Sequence, residues 1–236
     1  MLGRLTHWLA RQEAQLRNSF GRDITDPRER RRSEWHLDWL DHGILRRHWH
    51  NFEEFAPGAY RSNHPDRLRF ERYARLGIRS VLNLRGAVRQ PHYLFEQEWT
   101  EALGLTLVDV HMSARQAPRR EALLALMEAF DTIERPFLMH CKSGADRTGL
   151  AAAIYLLRNE GAPLEVARRQ LSFRYIHIRR TSTGILDHFL DTYAARLEET
   201  GPIGIEQWIR TEYDPTALTE SFEAKQAALK PWEGWR

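Results

Sequence analysis

The sequence predicts an α/β protein with a central, mostly parallel sheet that is flanked by helices on both faces. Three short apolar runs, at residues 80–84, 105–111 and 137–140, are predicted to be buried strands. Helical stretches at residues 91–103 and 118–133 lie between them. Because strands separated by helices of this length form βαβ units, we expect the strands to run parallel. Ligands of such sheets bind beyond the carboxyl ends of the strands.

Length and composition narrow the class of protein. The chain has 236 residues, of which 42% are hydrophobic and 28% are charged, which suits one large globular domain with extensions. The single cysteine, Cys141, rules out an intrachain disulfide. The apolar runs are far shorter than the ~18 residues that a membrane-spanning helix requires.

Residues 1–55 are predicted to be a basic, helical N-terminal extension rich in tryptophan and histidine. The first 50 residues hold ten arginines against seven acidic residues, with five of the eleven histidines and four of the eight tryptophans. Asp26 followed by Pro27 is typical of a helix start, and apolar residues through Leu40 continue the helix. We expect the tryptophans to pack this extension on the main domain. Peripheral contact of the basic segment with a membrane surface is the alternative.

The rest of the chain divides into a main domain at residues 56–200 and a helical C-terminal tail at residues 201–236. Further helices are predicted at residues 148–159, 163–171, 184–198 and 217–229. Gly161 stands where a glycine commonly follows the end of a helix. Trp232 and Trp235 are expected to order part of the tail.

The basic charge consists almost wholly of arginine, since only three of the 35 basic residues are lysines. Arginine favours planar, bidentate contact with phosphate or carboxylate, so an oxyanion partner is expected. Acidic residues are interspersed, so no nucleic acid partner is expected. The amino terminus lacks the apolar core of a signal peptide, and a lone thiol suits a reducing compartment; both favour the cytoplasm.

The segment from His140 to Gly149 carries the chemistry. It connects a predicted buried strand to the first turn of a helix, so backbone N–H groups and the positive end of the helix converge on one point. Gly144 permits backbone conformations that a β-carbon forbids, and Arg147 can give two parallel N–H donors to an anion. Such surroundings lower the pKa of a thiol from ~8.5, which would make Cys141 a thiolate nucleophile.

This segment resembles the signature loop of the cysteine-dependent protein tyrosine phosphatase superfamily, in which His-Cys, five residues, Arg and Ser or Thr bind phosphate. It is most similar to the dual-specificity branch, and there to bacterial and fungal members with an upstream Tyr-Arg-Ser-x-x-Pro stretch, here residues 60–65. Residues 76–85 also look like that group. The resemblance covers roughly residues 56–195 and implies a phosphatase-like fold and a dual-specificity phosphatase-like catalytic domain.

The resemblance also implies a role for each residue of the loop. Cys141 would attack phosphorus and form a cysteinyl-phosphate that water hydrolyses, while Arg147 and the loop amides hold the phosphate oxygens. Thr148 matches the hydroxyl that stabilises the leaving thiolate, and His140 matches the histidine that orients the loop. The phosphate-binding positions are Lys142, Ser143, Gly144, Ala145, Asp146 and Arg147. No metal ion and no cofactor are expected.

The general acid departs from the family pattern. Most members carry an aspartate on a loop after the preceding strand, but residues 113–118 contain no carboxylate. Asp109 lies within the predicted strand, where a structural role is equally plausible. Asp146 lies in the signature loop beside Arg147, an Asp-Arg pair that resembles myotubularins and some bacterial phosphatases. Both remain candidates, and we favour Asp146 because a loop residue reaches the leaving oxygen more easily.

The substrate is expected to be a phosphorylated protein, lipid or inositol phosphate. Arg85, Arg115 and Arg174 lie near strand ends or in neighbouring loops and are predicted to form a rim for a second phosphate or an acidic headgroup. A protein tyrosine or dual-specificity phosphatase is the leading prediction. A phosphoinositide, lipid-phosphate or inositol-phosphate phosphatase is the alternative. The missing loop aspartate also leaves open a catalytically weak phosphate-binding module.

Overall fold

The computed structural model describes residues 23–228, which contain a five-stranded sheet. Strands β1 (Glu53–Ala56) and β2 (Ala59–Asn63) form an antiparallel hairpin at one edge. Strands β3 (Ser80–Asn83), β4 (Thr106–Asp109) and β5 (Phe137–Cys141) are parallel to β2, in the order β1-β2-β5-β3-β4. The predicted mostly parallel sheet is confirmed.

Ten α-helices and three shorter helical turns surround this sheet in the described part of the chain. The helices are α1 (Pro27–Trp35), α2 (Gly43–Arg46), α3 (Arg67–Arg75), α4 (Pro91–Ala102), α5 (Arg120–Thr132), α6 (Asp146–Asn159), α7 (Leu164–Arg168), α8 (Ile185–Thr200), α9 (Ile205–Thr211) and α10 (Pro215–Ala228). The turns are a π-helical turn at His36–Leu40 and 3-10 turns at Phe173–Tyr175 and Ser182–Gly184. The hairpin, α3 and α9 were not predicted from the sequence.

Alternation along the strands builds an apolar layer on each face of the sheet. Val81 of β3 packs with Phe70 of α3 on one face, together with Trp99 of α4. On the other face, Leu82 and Met139 belong to the main core, which α5, α6 and α8 complete. Helices therefore cover both faces, as the sequence predicts.

Helix α6 passes through the centre of the main core. Its residues Leu150 to Tyr155 are fully buried, and the small alanines among them let neighbouring elements approach closely. A β-carbon at Gly149 would lie 2.6 Å from the carbonyl oxygen of Gln170, so the first turn of α6 rests directly on backbone. Gly161 follows the helix with a φ of +60°, in agreement with its predicted place.

The predicted tail is an integral part of the core up to residue 228. Ile205, Trp208 and Ile209 of α9 and Leu218 of α10 are buried in the main cluster. Helix α9 is hard to predict from the sequence because it has only seven residues, of which three are buried apolar residues. The predicted ordering by Trp232 and Trp235 lies outside the described residues.

The N-terminal extension is helical where it is described, but polar contacts hold it. The carboxylate of Asp26 accepts hydrogen bonds at the start of α1, as predicted. Trp35 and Trp39 are 52% and 59% exposed, so they are buried less than the sequence led us to expect, whereas Trp49 is half-buried. Arg30 instead pairs with Glu98 of α4 at 2.6 Å. The part of the extension before residue 23, where membrane contact was considered, lies outside the described residues.

Two further findings concern the organisation of the chain. The sheet begins at Glu53, shortly before the domain boundary placed at residue 56, because β1 pairs with β2 at the edge of the central sheet. Between residues 23 and 228, no helix has both the length and the apolar character needed to cross a membrane.

Candidate active site

Strand β5 brings Cys141 to the carboxyl end of the sheet, between β2 and β3. The loop 142–145 follows, and α6 begins at Asp146. Cys141 is 1% exposed and lies at the base of this loop. The structure therefore has the strand, loop and helix N-terminus that the sequence predicts for an anion cradle.

Only glycine suits position 144, because the backbone there has a positive φ and there is no room for a β-carbon. Its φ is +69°, in the region that side chains other than glycine rarely adopt. A β-carbon would lie 2.6 Å from the backbone N of Asn63 and from the carbonyl of Ser62, at the end of β2. The loop can pack against β2 only because this position has no side chain.

Three donors hold the loop from behind. The N–H of His64 donates to the carbonyl oxygen of Lys142 at 3.2 Å, and the amide of Asn51 donates to that of Ser143 at 2.9 Å. Arg61 donates to the carbonyl of Gly144 at 2.6 Å. Because the loop carbonyls turn toward these donors, its N–H groups are left for the cavity side.

Arg61 explains the upstream Tyr-Arg-Ser motif. The side chain is fully buried, and its guanidinium stacks 3.5 Å above the centre of the Tyr175 ring. It also donates to the backbone oxygen of Gln170 at 3.1 Å. Burial lowers the pKa of Arg61 to about 10, so the group stays charged at neutral pH. The motif therefore supports the phosphate loop without facing the cavity.

Opposing influences act on the Cys141 thiol. Burial opposes ionisation, but the positive charge of Arg147 and the nearby polar groups of Thr148 favour it, while Asp146 opposes it. The net result lowers the pKa of Cys141 below the ordinary thiol value. The roles of Arg147 and Thr148 next to a thiolate stay predictions.

A cavity of about 830 Å³ opens above the loop. Lys142, Ser143, Asp146 and Arg147 line it from the loop side. Residues 111–119, after β4, form a second wall. Four residues of the N-terminal extension form a third, namely His42, Leu45, Arg46 and Trp49. The extension therefore contributes to the site, which the sequence did not indicate.

His140 lies beneath the loop and is held by a buried carboxylate. Its Nε2 is 2.5 Å from Oε1 of Glu96 on α4, and its Nδ1 lies 3.3 Å from the carbonyl oxygen of Cys141. His64 completes a buried group whose candidate ligand atoms lie within 4.8 Å of one another. A metal ion at ~2.1 Å from each ligand would hold nitrogen and oxygen farther apart than 2.5 Å. The His140–Glu96 hydrogen bond explains the contact, and it is consistent with a loop-orienting role for His140.

Asp146 has a partner that sequence reasoning missed. Its Oδ1 lies 2.7 Å from Nδ1 of His177, and the Nε2 of His177 lies 2.7 Å from Oδ2 of Asp187 on α8. Burial opposes protonation of His177, but the hydrogen bonds and charges of the two carboxylates raise its pKa to about 9. At neutral pH His177 is therefore an imidazolium that holds Asp146 at the cavity wall. The arrangement depends on a distant segment, so no local motif could have indicated it.

We expect this imidazolium to make stability depend on pH. Since the folded pKa of His177 is about 9 and the ordinary value is 6.5, the stabilisation is complete below about pH 6.5 and is lost as the pH rises through 9. The free energy of unfolding should fall by on the order of 3 kcal/mol over this interval. Urea unfolding at several pH values measures it. The fall should shrink in His177→Gln and persist in the control His188→Gln; an undiminished fall in His177→Gln would contradict the assignment.

Asp109, the other candidate for the general acid, lies away from the cavity. Its carboxylate accepts hydrogen bonds from the amide of Asn83 at 2.8 Å and from the hydroxyl of Tyr93 at 2.5 Å. It does not line the cavity above the loop. This geometry gives Asp109 a structural role at the end of β4 and leaves Asp146 as the acid candidate that faces the cavity.

Of the three predicted rim arginines, the structure brings only Arg115 to the cavity. Arg85 is 9% exposed because both of its terminal nitrogens bind the carboxylate of Asp41, so its prediction as a rim residue is not supported. Arg174 is exposed, pairs with Glu53 at 3.3 Å, and borders a different cavity beside Asn51. It also lies away from the predicted rim, because the turn at Phe173–Tyr175 directs it there.

Comparison with protein families agrees with this site. Part of the chain is similar to phosphatases of the dual-specificity and tyrosine phosphatase type, in agreement with the resemblance found in the sequence. Residues 57–161, from the β1–β2 turn to the end of α6, match the family described as "Polymorphic toxin system, DSP-PTPase phosphatase". The matched segment contains β2, the whole loop and α6.

Comparison with solved structures gave matches of low sequence identity. TpbA from P. aeruginosa shares 20% identity with this chain, with 74% of this chain and 91% of TpbA covered and a TM-score of 0.49. The core catalytic domain of the PP-IP phosphatase SIW14 from S. cerevisiae shares 21% identity, with coverage of 76% and 94% and a TM-score of 0.45. A search among curated proteins found no match.

Proposed function

We propose that this chain is a cysteine-dependent phosphomonoesterase of the dual-specificity type, with Cys141 as nucleophile. The observation that carries the proposal is the set of groups around the Cys141 sulfur. Burial and Asp146 oppose the thiolate there, but the charge of Arg147 and the nearby polar groups of Thr148 outweigh them and lower the pKa of Cys141. A loop whose carbonyls face backward lies directly above it.

The proposed reaction has two steps. In the first, the Cys141 thiolate attacks phosphorus and the bond to the leaving oxygen breaks. Asp146, which must be protonated in the substrate complex, gives its proton to that oxygen. In the second, the Asp146 carboxylate takes a proton from water as the water attacks phosphorus, which releases phosphate and restores the thiolate. Arg147 and the loop N–H groups hold the equatorial oxygens in both steps. The His177 imidazolium stabilises the Asp146 carboxylate between the steps.

The cavity favours a second candidate substrate class besides phosphotyrosyl and phosphoseryl proteins. Arg46, Arg115, Arg119, Lys142 and Arg147 line it, against Asp146 as the acidic residue. This excess of positive charge supports a phosphoinositide or inositol phosphate. Since the mechanism needs a free thiolate, we place the enzyme in a reducing compartment such as the cytoplasm.

Trapping of the covalent intermediate tests the proposal. The protein is mixed with p-nitrophenyl phosphate at mildly acidic pH, quenched within the first turnover and digested for mass spectrometry. We expect a phosphoryl group on the peptide that contains Cys141, and release of p-nitrophenolate in a burst. Turnover with the phosphoryl group on another residue would overturn the assignment of the nucleophile. Absence of any turnover on aryl phosphate, phosphopeptide and inositol phosphate would favour a binding module.

A further inference from the structure

A buried carboxylate of the N-terminal extension gathers three cations beside the phosphate loop. Asp41 follows the π-helical turn, and its side chain is only 7% exposed. Arg85 binds both of its oxygens, at 2.8 and 3.0 Å. Arg46 binds Oδ2 at 2.8 Å, and the ammonium of Lys142 lies 3.4 Å from Oδ1.

The charges of this cluster do not balance. The bidentate contact with Arg85 already neutralises the single carboxylate, so Arg46 and Lys142 leave two positive charges in excess. The Nε of Arg46 is buried without a hydrogen-bond partner, and the contact to Asp41 uses one of the three donors of Lys142. Burying such charge without an anion is unfavourable.

Both of these cations face the substrate cavity. Lys142 and Arg46 line it on one side of the loop, and Arg147 lines it from the first turn of α6. Burial lowers the pKa of Lys142 although Asp41 opposes the effect, and it lowers that of Arg46 in the same way. A second anion at this wall would relieve the unfavourable burial of both groups.

We propose that Lys142 and Arg46 form a second anion subsite, and that the preferred substrate is a small molecule carrying two phosphate groups on neighbouring positions. One phosphate occupies the loop above Cys141 and the other contacts Lys142 and the edge of Arg46. Asp41 is the positioning residue that holds both cations in place. This inference rests on the proposed phosphatase function and names its substrate class.

The shared cavity argues for two phosphates on one small molecule. Lys142 and Arg46 line the same cavity as Arg147, and contacts with Asp41 hold both of their side chains at one wall. An anion at this wall therefore lies in the same cavity as the phosphate above Cys141, which suits vicinal phosphates on a ring. Phosphates on separate residues of an extended peptide lie farther apart, since successive side chains point to opposite sides.

The test compares kcat/KM for an inositol monophosphate and an inositol bisphosphate with vicinal phosphates. We expect the wild-type protein to prefer the bisphosphate by about tenfold or more, and Lys142→Gln to remove most of that preference through KM. Arg46→Gln should act in the same direction, with Arg46→Lys retaining part of the preference. The matched control is Arg47→Gln, because Arg47 is half-exposed and pairs only at the surface with Asp38. Its preference should equal that of the wild type.

Failure of the subsite and failure of the phosphatase function can be told apart. Calorimetry on Cys141→Ser measures binding of the bisphosphate and of inorganic phosphate without turnover, and thermal unfolding of each variant checks its fold. Turnover of p-nitrophenyl phosphate with no preference for the bisphosphate would overturn the subsite alone. Equal binding of the bisphosphate by Cys141→Ser with and without Lys142→Gln would also overturn it, whether or not the protein turns over substrate.

Two substrates are compared to identify the source of the second phosphate. One is the soluble inositol bisphosphate. The other is a phosphoinositide with vicinal ring phosphates in phosphatidylcholine vesicles, which presents the same chemistry on a lipid. A preference that depends on Lys142 in either arm, vesicle or soluble, supports the subsite and tells which source is used. A doubly phosphorylated peptide preferred over both inositol arms would contradict the proposal.

Discussion

Replacing Cys141 with serine should lower kcat for p-nitrophenyl phosphate by roughly a thousandfold or more. The charge of Arg147 and the polar groups of Thr148 that favour the thiolate cannot ionise an alcohol at neutral pH, since its pKa lies far above that of a thiol. The acidic limb of the pH profile of kcat/KM, which we assign to the thiol, should disappear with it. Steady-state kinetics from pH 4 to 8 measures both effects.

The Cys141→Ser variant should still bind phosphate or vanadate, because the loop N–H groups and Arg147 remain. Calorimetry separates this result from unfolding. Near-normal turnover by the serine variant would contradict the assignment of Cys141 as the nucleophile. A wild-type protein that binds phosphate equally well and hydrolyses nothing would identify a binding module.

Replacing Asp146 with asparagine should separate good leaving groups from poor ones. An alkyl phosphate needs a proton on its departing oxygen, so its kcat/KM should fall by about a hundredfold or more. p-Nitrophenolate leaves without a proton, so its rate should change only a few fold. A plot of rate against leaving-group pKa should become steeper in Asp146→Asn.

Asp109→Asn is the matched control, since Asp109 is the other aspartate that the sequence suggested. Its contacts with Asn83 and Tyr93 predict small losses of similar size on both substrates. His177→Asn should weaken turnover of the alkyl phosphate in the same sense as Asp146→Asn, because it removes the partner that holds Asp146. If Asp109→Asn lowered kcat/KM much more for the alkyl phosphate than for p-nitrophenyl phosphate, and Asp146→Asn did not, Asp109 would be the general acid and Asp146 would not.

Local patterns in the sequence predicted much of this fold. The three apolar runs became β3, β4 and β5, and the alternation of strand and helix placed Cys141 at the carboxyl end of the sheet. These features depend on neighbouring residues, which a single sequence displays. The β1–β2 hairpin was missed because β2 has the residues Ala-Tyr-Arg-Ser-Asn, whose polar members are buried by specific partners and not by hydrophobicity.

The rest of the site depends on residues far apart in the chain. Asp41 lies 44 residues from Arg85, and His177 lies 31 residues from Asp146. The charge and burial of such residues are set by tertiary contacts, so Arg85 looked like a rim residue and His177 like any histidine. Asp109 was ambiguous for the same reason, because only the positions of Asn83 and Tyr93 show where its carboxylate points.

The three donors behind the loop 142–145 affect how the loop would bind substrate. Arg61, Asn51 and the His64 amide hold three successive carbonyls through contacts that need no bound anion. If the loop binds phosphate as proposed, it has its shape before the anion arrives, and association does not have to supply the conformational entropy of ordering it. The proposed recognition would then be preorganised, and we expect differences in affinity between substrates to arise in the walls of the cavity.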